Sequence, residues 1–161
     1  MFDFCLSSMQ LDNSERGFSF RYDGPLDMRM SQEGPSAADI IDEYDEKELS
    51  NLIYKYGEEY KSRKIAKAIV NYKKSKHIRT TFELAKIISE AIGHKSNKKI
   101  DPATKTFQAI RIKVNNELEE IKQALEDTKK LLAPGARLVV ISFHSLEDKI
   151  VKNFLKINCG L

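Results

Sequence analysis

Hydrophobic and polar positions divide the chain into a long helical centre with one short apolar run near each end. The first run covers residues 2–6, and the second covers residues 137–143 (RLVVISF) and is rich in β-branched side chains. Short continuous apolar runs bounded by polar residues are typical of buried strands. The pattern therefore predicts one strand near each end of the chain.

Residues 36–93 carry the spacing of four consecutive amphipathic helices. Three of them begin with a capping box, in which Ser36, Asp45 and Thr80 are each followed three positions later by an acidic residue. These helices are expected over residues 36–43, 45–57 and 80–93, and a fourth over residues 58–74. The apolar face of the helix at 80–93 is expected to include Phe82. Four short helices with short links predict a small helical bundle.

The segments around the bundle differ in character. Residues 9–35 show no lasting period and contain several glycines, which favours a long functional loop with enough apolar side chains to fold back on a core. After a polar linker at residues 94–99, one long helix is expected over residues 103–132. The last helix is expected to run to residue 155, with Ser145 as its N-cap and Asp148 as the capping-box partner.

The order of helix, Pro-Gly turn, buried strand and helix indicates an α/β protein with a parallel sheet. Two strands do not make a stable doubly wound sheet, so further strands are expected outside this sequence. An exposed sheet edge also favours self-association, and we therefore expect a homodimer as one state of the protein.

Composition excludes several classes. With 41% hydrophobic and 32% charged residues, the chain is unlike collagen or a disordered protein. No apolar run approaches the roughly 18 residues of a membrane helix, so a cytoplasmic location is expected, without a membrane partner. Cys5 and Cys159 lie in no metal-ligand spacing, and no metal is expected.

Opposite charges are segregated along the chain. Residues 60–79 hold eight basic residues and no acid, whereas residues 33–59 hold nine acids and two lysines. Such a pair is either a solvated dipolar arrangement or a phosphate-binding face, and the residues leave both open. The candidate RNA-binding residues in the run are Lys61, Arg63, Lys64 and Lys67. Tyr60 could stack on unpaired bases, as could Tyr72, which fits a core position equally well.

Polar side chains follow both predicted strands. Asp3 lies in the first strand, and Ser7, Ser8 and Gln10 come after it. Ligands of open α/β sheets bind beyond the carboxyl ends of the strands, although such residues more often only satisfy backbone groups in a turn. After the second strand, His144 stands beside a helix start. Ser142 and Asp148 complete a triad-like set with it, but no nucleophile elbow accompanies them.

Six ordered blocks carry a resemblance to a known family. They are residues 7–12 (SSMQLD), 15–20 (ERGFSF), 23–30 (DGPLDMRM), 103–109 (ATKTFQA), 114–118 (VNNEL) and 142–148 (SFHSLED). Together they resemble the small-subunit (16S) rRNA cytosine-N4 methyltransferases over nearly the whole chain.

The resemblance implies an incomplete Rossmann-like class I methyltransferase sheet interrupted by an inserted small helical domain. Residues 1–35 would end the first part of the methyltransferase domain, residues 36–99 would form the insert, and residues 100–161 would continue the methyltransferase domain. The implied reaction transfers a methyl group from S-adenosyl-L-methionine to N4 of a cytidine. The implied partner is small-subunit rRNA or the ribosomal subunit.

Site residues follow from the same resemblance. Asp3 and Gln10 match cofactor-binding positions, and Asp3, Ser7 and Ser8 match the amine-facing catalytic motif. The remaining matches, His144, Asp27 and Arg29, are substrate-side groups, the first catalytic and the other two RNA-binding.

The sequence departs from the family in two ways. Cys5 stands where the family has a glycine, and the family's glycine-rich cofactor loop and ribose-binding acid are absent. This chain alone is therefore not expected to bind the cofactor appreciably. The alternatives to an enzyme are an RNA-binding helical module without catalysis and a decayed gene product.

Overall fold

The computed structural model describes residues 1–4, 11–31, 33–93, 101 and 103–159. The predictions for Cys5, Ser7, Ser8 and Gln10 and for the linker at 94–99 lie outside these residues. The chain forms two compact units, one of Ser7–Asn115 and one of Met1–Leu6 with Asn116–Leu161. We call them the helical unit and the sheet unit.

Five helices of the helical unit have both ends within the described residues, and three of their starts confirm the predicted capping boxes. Ser36, Asp45 and Thr80 each accept a hydrogen bond from the backbone N–H three residues later, and the acidic side chain there accepts one from the cap backbone. The helices are α1 (Ala37–Glu43), α2 (Glu46–Gly57), α3 (Ser62–Lys73), α4 (Thr81–Ile92) and α5 (Thr104–Val114).

The core of the helical unit lies where α2 packs against α3 and α5, and α3 against α4. Its fully buried side chains include Leu49, Ile53, Ile65, Ile69, Leu84, Ile88 and Ile110. Burying one such aliphatic side chain contributes roughly 1.5–3 kcal/mol, so the repeated apolar faces account for the bundle. Phe82 does not join this face and is 48% exposed, because it occupies the second residue of α4, on the side away from Leu84 and Ile88.

The predicted irregular connection at 9–35 is helical at residues 11–12, and its described residues from 13 onward confirm an irregular path that folds back on the core. The described part contains one 3-10 turn, Ser14–Arg16, and buries Phe18, Leu26 and Met28. The Leu26 N–H donates to the Arg79 carbonyl at 2.9 Å, and its own carbonyl accepts from the Ala38 N–H at 2.9 Å. The segment is therefore joined to the starts of both α1 and α4.

The prediction of one helix over residues 103–132 is wrong. Helix α5 ends at Val114, and a separate helix α6 spans Glu117–Leu131. Between them Asn116 adopts a left-handed backbone with φ of 50°, a conformation that asparagine tolerates better than most residues. No proline or glycine lies at this break, so the helical spacing of apolar residues by itself predicted one continuous helix.

The sheet unit holds two parallel strands, β1 (Phe2–Asp3) and β2 (Val140–Ile141), and the helices α6 and α7 (Ser145–Cys159), which pack together. Phe2 pairs with Val140 and Asp3 with Ile141, confirming a parallel α/β arrangement. Strand β2 is shorter than the predicted run of 137–143, because β2 has ladder partners only where it faces β1. Val139 and Phe143 are more than half exposed.

Helix α7 also corrects its predicted start. Ser145 is the first helical residue instead of the cap, and the side chain that reaches back belongs to Glu147, not Asp148. The helix continues past residue 155 to Cys159.

The helical unit is larger than the predicted insert at 36–99, because the connection before α1 and the whole of α5 pack into the same core. The insertion itself stays a prediction. Among the described residues, no helix is long and apolar enough to cross a membrane.

Candidate functional site

One edge of the two-stranded sheet carries polar side chains from both strands. Asp3 is exposed and pairs in register with Ile141. Ile141 lies three residues before His144 in the sequence. The Phe4 N–H donates to the Ile141 carbonyl at 3.3 Å, which continues the parallel pairing past Asp3. The structure thus places Asp3 and His144 at the carboxyl ends of adjacent parallel strands, where open α/β sheets bind ligands.

His144, which is partly buried, and the buried Glu147 form a close pair at the start of α7. Nε2 of His144 lies 3.1 Å from Oε1 of Glu147, whose side chain is 1% exposed. The other carboxylate oxygen accepts a hydrogen bond of 2.8 Å from the Phe143 N–H. Burial raises the pKa of the Glu147 carboxyl, but His144 and the Phe143 N–H outweigh it and hold the pKa below its usual value.

Glu117, at the start of α6, brings a third ligand atom to this pair. Among the described residues, one ligand atom each from Glu117, His144 and Glu147 lie within 4.8 Å of one another. A histidine with two carboxylates has the chemistry to hold a divalent cation or to share protons. The sequence did not single out either glutamate, although both lie in the first turn of a helix.

Asp27 and Arg29 bind each other in the connection before α1. Nε and Nη2 of Arg29 donate to the two Asp27 oxygens at 2.9 and 2.8 Å, and Nη1 donates to the Gly34 carbonyl at 3.1 Å. The Arg29 hydrogen bonds hold the pKa of the Asp27 carboxyl below its usual value. This geometry favours a role in shaping the loop, since every guanidinium nitrogen already has a partner.

The same loop is held from two further sides. Arg16 donates through Nη2 to the carbonyls of Arg29 and Met30 at 2.8 and 3.0 Å. The Asn115 amide accepts from the Met30 N–H at 2.7 Å and donates to the Met28 carbonyl at 2.8 Å. Residues 27–30 therefore form a rigid segment at the end of α5, and sequence reasoning did not single out Asn115 for this role.

The basic run divides into two sets of side chains. In one set the charges serve the fold: Nζ of Lys73 donates to the carbonyls of Ile41, Asp42 and Tyr44 at the end of α1. Lys76 pairs with Glu83, and Arg79 pairs with Asp42 at 3.1 Å. These cations already have hydrogen-bond or ion-pair partners within the fold and offer little to a phosphate.

The other set lies on the solvent side of α3. Arg63, Lys64 and Lys67 are exposed and follow the helical spacing i, i+1 and i+4, so they lie on the solvent side of the helix, and the exposed Tyr60 lies in the turn that precedes it. Arg63, Lys64 and Lys67 form no ion pair or hydrogen bond with any described residue. We call these three the α3 basic stripe. Lys61, also exposed, donates to the Ile92 carbonyl at 3.3 Å.

The parallel strands and their helices define the chain as an α/β protein that also has a helical unit with exposed cations on α3. Residues 1–159 match the model of the MraW methylase family, and the chain belongs to this family.

Curated relatives carry a common name. A protein of Rickettsia prowazekii (strain Madrid E) called ribosomal RNA small subunit methyltransferase H is 58% identical over 156 residues, which cover 97% of this chain and 51% of the relative. A protein of the same name from Paramagnetospirillum magneticum (strain ATCC 700264 / AMB-1) is 54% identical over 98% of this chain and 49% of its own length. The chain thus spans about half the length of the curated relatives it matches.

Proposed function

We propose that the protein transfers a methyl group from S-adenosyl-L-methionine to N4 of a cytidine in small-subunit rRNA. The observation that carries the proposal is the family match over residues 1–159 together with the name shared by relatives at 54–58% identity. The cytosine-N4 position comes from the sequence resemblance of the six blocks described above.

The proposed chemistry needs a hydrogen-bond acceptor beside the target amine. The exocyclic amine of cytosine is a weak nucleophile because its lone pair is delocalised into the ring. An acceptor that takes its proton stabilises the positive charge that develops on the nitrogen as it attacks the methyl group. S-adenosyl-L-methionine supplies the electrophilic methyl when bound. We assign amine recognition to Asp3 with Ser7 and Ser8, and assign cofactor binding to Asp3 with Gln10.

The position of Asp3 in the structure supports its part in this assignment. Asp3 presents a carboxylate at the carboxyl end of β1, a group that accepts hydrogen bonds from hydroxyl, amine or ammonium groups. His144 follows the adjacent strand, and its Nε2 lies 3.1 Å from the buried Glu147 carboxylate, which restricts the movement of the ring. A fixed imidazole suits a role in positioning the target nucleotide, which must be unstacked to react.

RNA binding is assigned to the helical unit. The α3 basic stripe carries three cations that the described part of the fold does not neutralise, and these are free to replace counterions of a phosphate backbone. Asp27 and Arg29 are assigned to keep the loop at 27–30 in shape next to α5. A binding module without catalysis has the same stripe, and a test of methylation separates the two functions.

The first prediction concerns methylation in cells of the organism that makes the protein. We expect Asp3→Asn in the chromosomal gene to lower N4-methylcytidine in small-subunit rRNA about tenfold or more, because loss of a positioned proton acceptor slows such transfers by 100-fold or so. Mass spectrometry of digested rRNA measures the modified nucleoside. Glu119→Gln, which alters an exposed carboxylate of the sheet unit, is the control and should leave the level unchanged.

Gene deletion decides the broader point. If small-subunit rRNA from a strain without the gene keeps its N4-methylcytidine, the proposed reaction is wrong. If deletion removes the modification but Asp3→Asn does not, the reaction stands and the assignment of Asp3 fails.

The second prediction concerns the salt dependence of RNA binding. Replacing Arg63, Lys64 and Lys67 together by alanine should reduce the slope of log Kd against log salt by about 2 for a short single-stranded rRNA fragment, since each lost phosphate contact removes about 0.7. Fluorescence anisotropy over a salt series gives the slope.

The control removes the same charge elsewhere. Lys47, Lys86 and Lys113 are exposed and scattered over other helices, so their triple alanine variant has the same net charge as the stripe variant. Equal slopes for the two variants would mean that net charge, and not the α3 basic stripe, attracts RNA.

A further inference from the structure

Two tyrosines form an exposed aromatic pair beside the α3 basic stripe. Tyr54 lies in the last turns of α2 and is 56% exposed, and Tyr60 lies in the turn before α3 and is 86% exposed. Their ring centroids are 6.3 Å apart at an interplanar angle of 65°, an edge-to-face contact. Since the rings do not stack on each other, much of each ring surface faces water.

The backbone that carries this pair is tightly held. Gly57 packs so closely on α5 that a Cβ there would stand 2.5 Å from the Lys105 carbonyl oxygen. Nζ of Lys105 donates to the Glu58 carbonyl at 2.9 Å. The Lys61 N–H donates to the Glu59 carboxylate at 2.9 Å. The two rings therefore start from fixed backbone positions, which lowers the entropy lost when a ligand binds them.

The surroundings of the pair are cationic. Tyr54 and Tyr60 line a shallow notch with Lys55, Glu58 and Lys105. Arg63 and Lys64 follow Tyr60 by three and four residues in the sequence and are exposed in the first turn of α3. An aromatic surface next to a row of cations is the combination with which proteins hold single-stranded nucleic acid, because bases stack on rings while phosphates meet cations.

We propose that Tyr54 and Tyr60 form a stacking site for an unpaired base of an RNA strand whose phosphates follow the α3 basic stripe. This inference rests on the proposed function, since it names where the helical unit would contact its RNA. Stacking tolerates any base, so the site would contribute affinity and strand position, not base identity.

The test compares two RNA probes that differ only in their bases. The full chain is titrated into a fluorescent single-stranded oligouridylate and into an abasic oligomer with the same number of phosphates. Tyr54→Ala with Tyr60→Ala should weaken binding of oligouridylate about tenfold or more, the usual effect of losing a stacked base. The same variant should bind the abasic oligomer as the unsubstituted protein does, and its salt slope should not change.

Three controls define the result. Tyr54→Phe with Tyr60→Phe keeps both rings and should keep the affinity. Tyr22→Ala removes another exposed tyrosine of the helical unit and should have no effect. If the double alanine variant shows altered circular dichroism, Tyr60→Ala alone is used, because a side chain 86% exposed contributes little packing.

The outcomes separate the two proposals. Unchanged affinity in the tyrosine variants, or equal losses on both probes, overturns the stacking site. If the stripe variant has at the same time lost its salt slope, the RNA-binding proposal stands without the stacking site. If the unsubstituted protein binds neither probe in a salt-dependent way, RNA binding by the helical unit fails and the stacking site fails with it.

Discussion

Glu147→Ala is expected to destabilise the start of helix α7 by about 3 kcal/mol. This cost is the sum of losing a charge-assisted hydrogen bond and leaving the buried partners of the carboxylate without an acceptor. The Phe143 N–H loses its acceptor at 2.8 Å, and His144 loses the carboxylate at 3.1 Å. Alanine at this buried position brings no replacement. Hydrogen exchange of the Ser145–Cys159 amides should show about a 100-fold loss of protection, since each 1.4 kcal/mol or so is tenfold.

The same carboxylate makes this stability depend on pH. The folded pKa of Glu147 lies below the ordinary value of 4.5, so its contribution is complete above that value and is lost as pH falls through the folded pKa. The difference in protection between the unsubstituted protein and Glu147→Gln should therefore be constant near neutral pH and shrink below about pH 4.5. Exchange data corrected for the intrinsic rate at each pH measure the difference.

An exposed glutamate of the same unit provides the control. Glu126 pairs with Lys129 on the surface of α6, and Glu126→Gln should change protection by less than about 0.5 kcal/mol. Equal effects at Glu126 and Glu147 would contradict the argument from burial. A pH-independent difference for Glu147→Gln would show that the pKa of Glu147 is the same in the folded and unfolded states, which would contradict the lowered folded pKa.

Gly17→Ala is expected to destabilise the helical unit by about 3 kcal/mol. Gly17 has φ of +67°, and a Cβ there would lie 2.2 Å from the Pro25 carbonyl oxygen and 2.8 Å from the Asp27 nitrogen. The left-handed conformation alone disfavours alanine by roughly 1–2 kcal/mol, and forced displacement of packed atoms adds about 1–3 kcal/mol. Urea denaturation followed by tyrosine fluorescence is a suitable measurement, because all six tyrosines lie within Ser7–Asn115.

Gly34→Ala separates the two causes. Gly34 also has a positive φ, +76°, but nothing lies within 4 Å of a Cβ placed there. Its variant should therefore lose only the conformational part, roughly 1–2 kcal/mol. Equal losses at the two glycines would mean that the close approach of residues 17 and 25 relaxes at no cost.

Interactions between close neighbours in the chain were predictable. The capping boxes at Ser36, Asp45 and Thr80 join groups three residues apart, and each formed where the pattern indicated. The break at Asn116 was not predictable in this way. It lies next to Asn115, whose amide is bound by the backbone of Met28 and Met30, more than 80 residues earlier in the chain.

The candidate site shows the same division. Asp3 and His144 were identified from sequence because strand ends in parallel sheets meet at one edge, and the register of Asp3 with Ile141 agrees with that. Glu147 appeared in the sequence as an ordinary helix-start residue. Its importance comes from burial to 1% exposure against His144, and burial is a property of the packed unit.

The sequence itself determined the segregated charges, the order of helices and strands, and the six blocks of family likeness, since each depends on residue types and short spacings. Which cations remain available was decided only by tertiary structure. Lys73 and Lys67 read alike in the basic run, yet Lys73 meets carbonyls about 30 residues away while Lys67 meets none in the described fold. The physical reason is that the partners of a charged side chain are groups brought near by folding, and distance along the chain does not report distance in space.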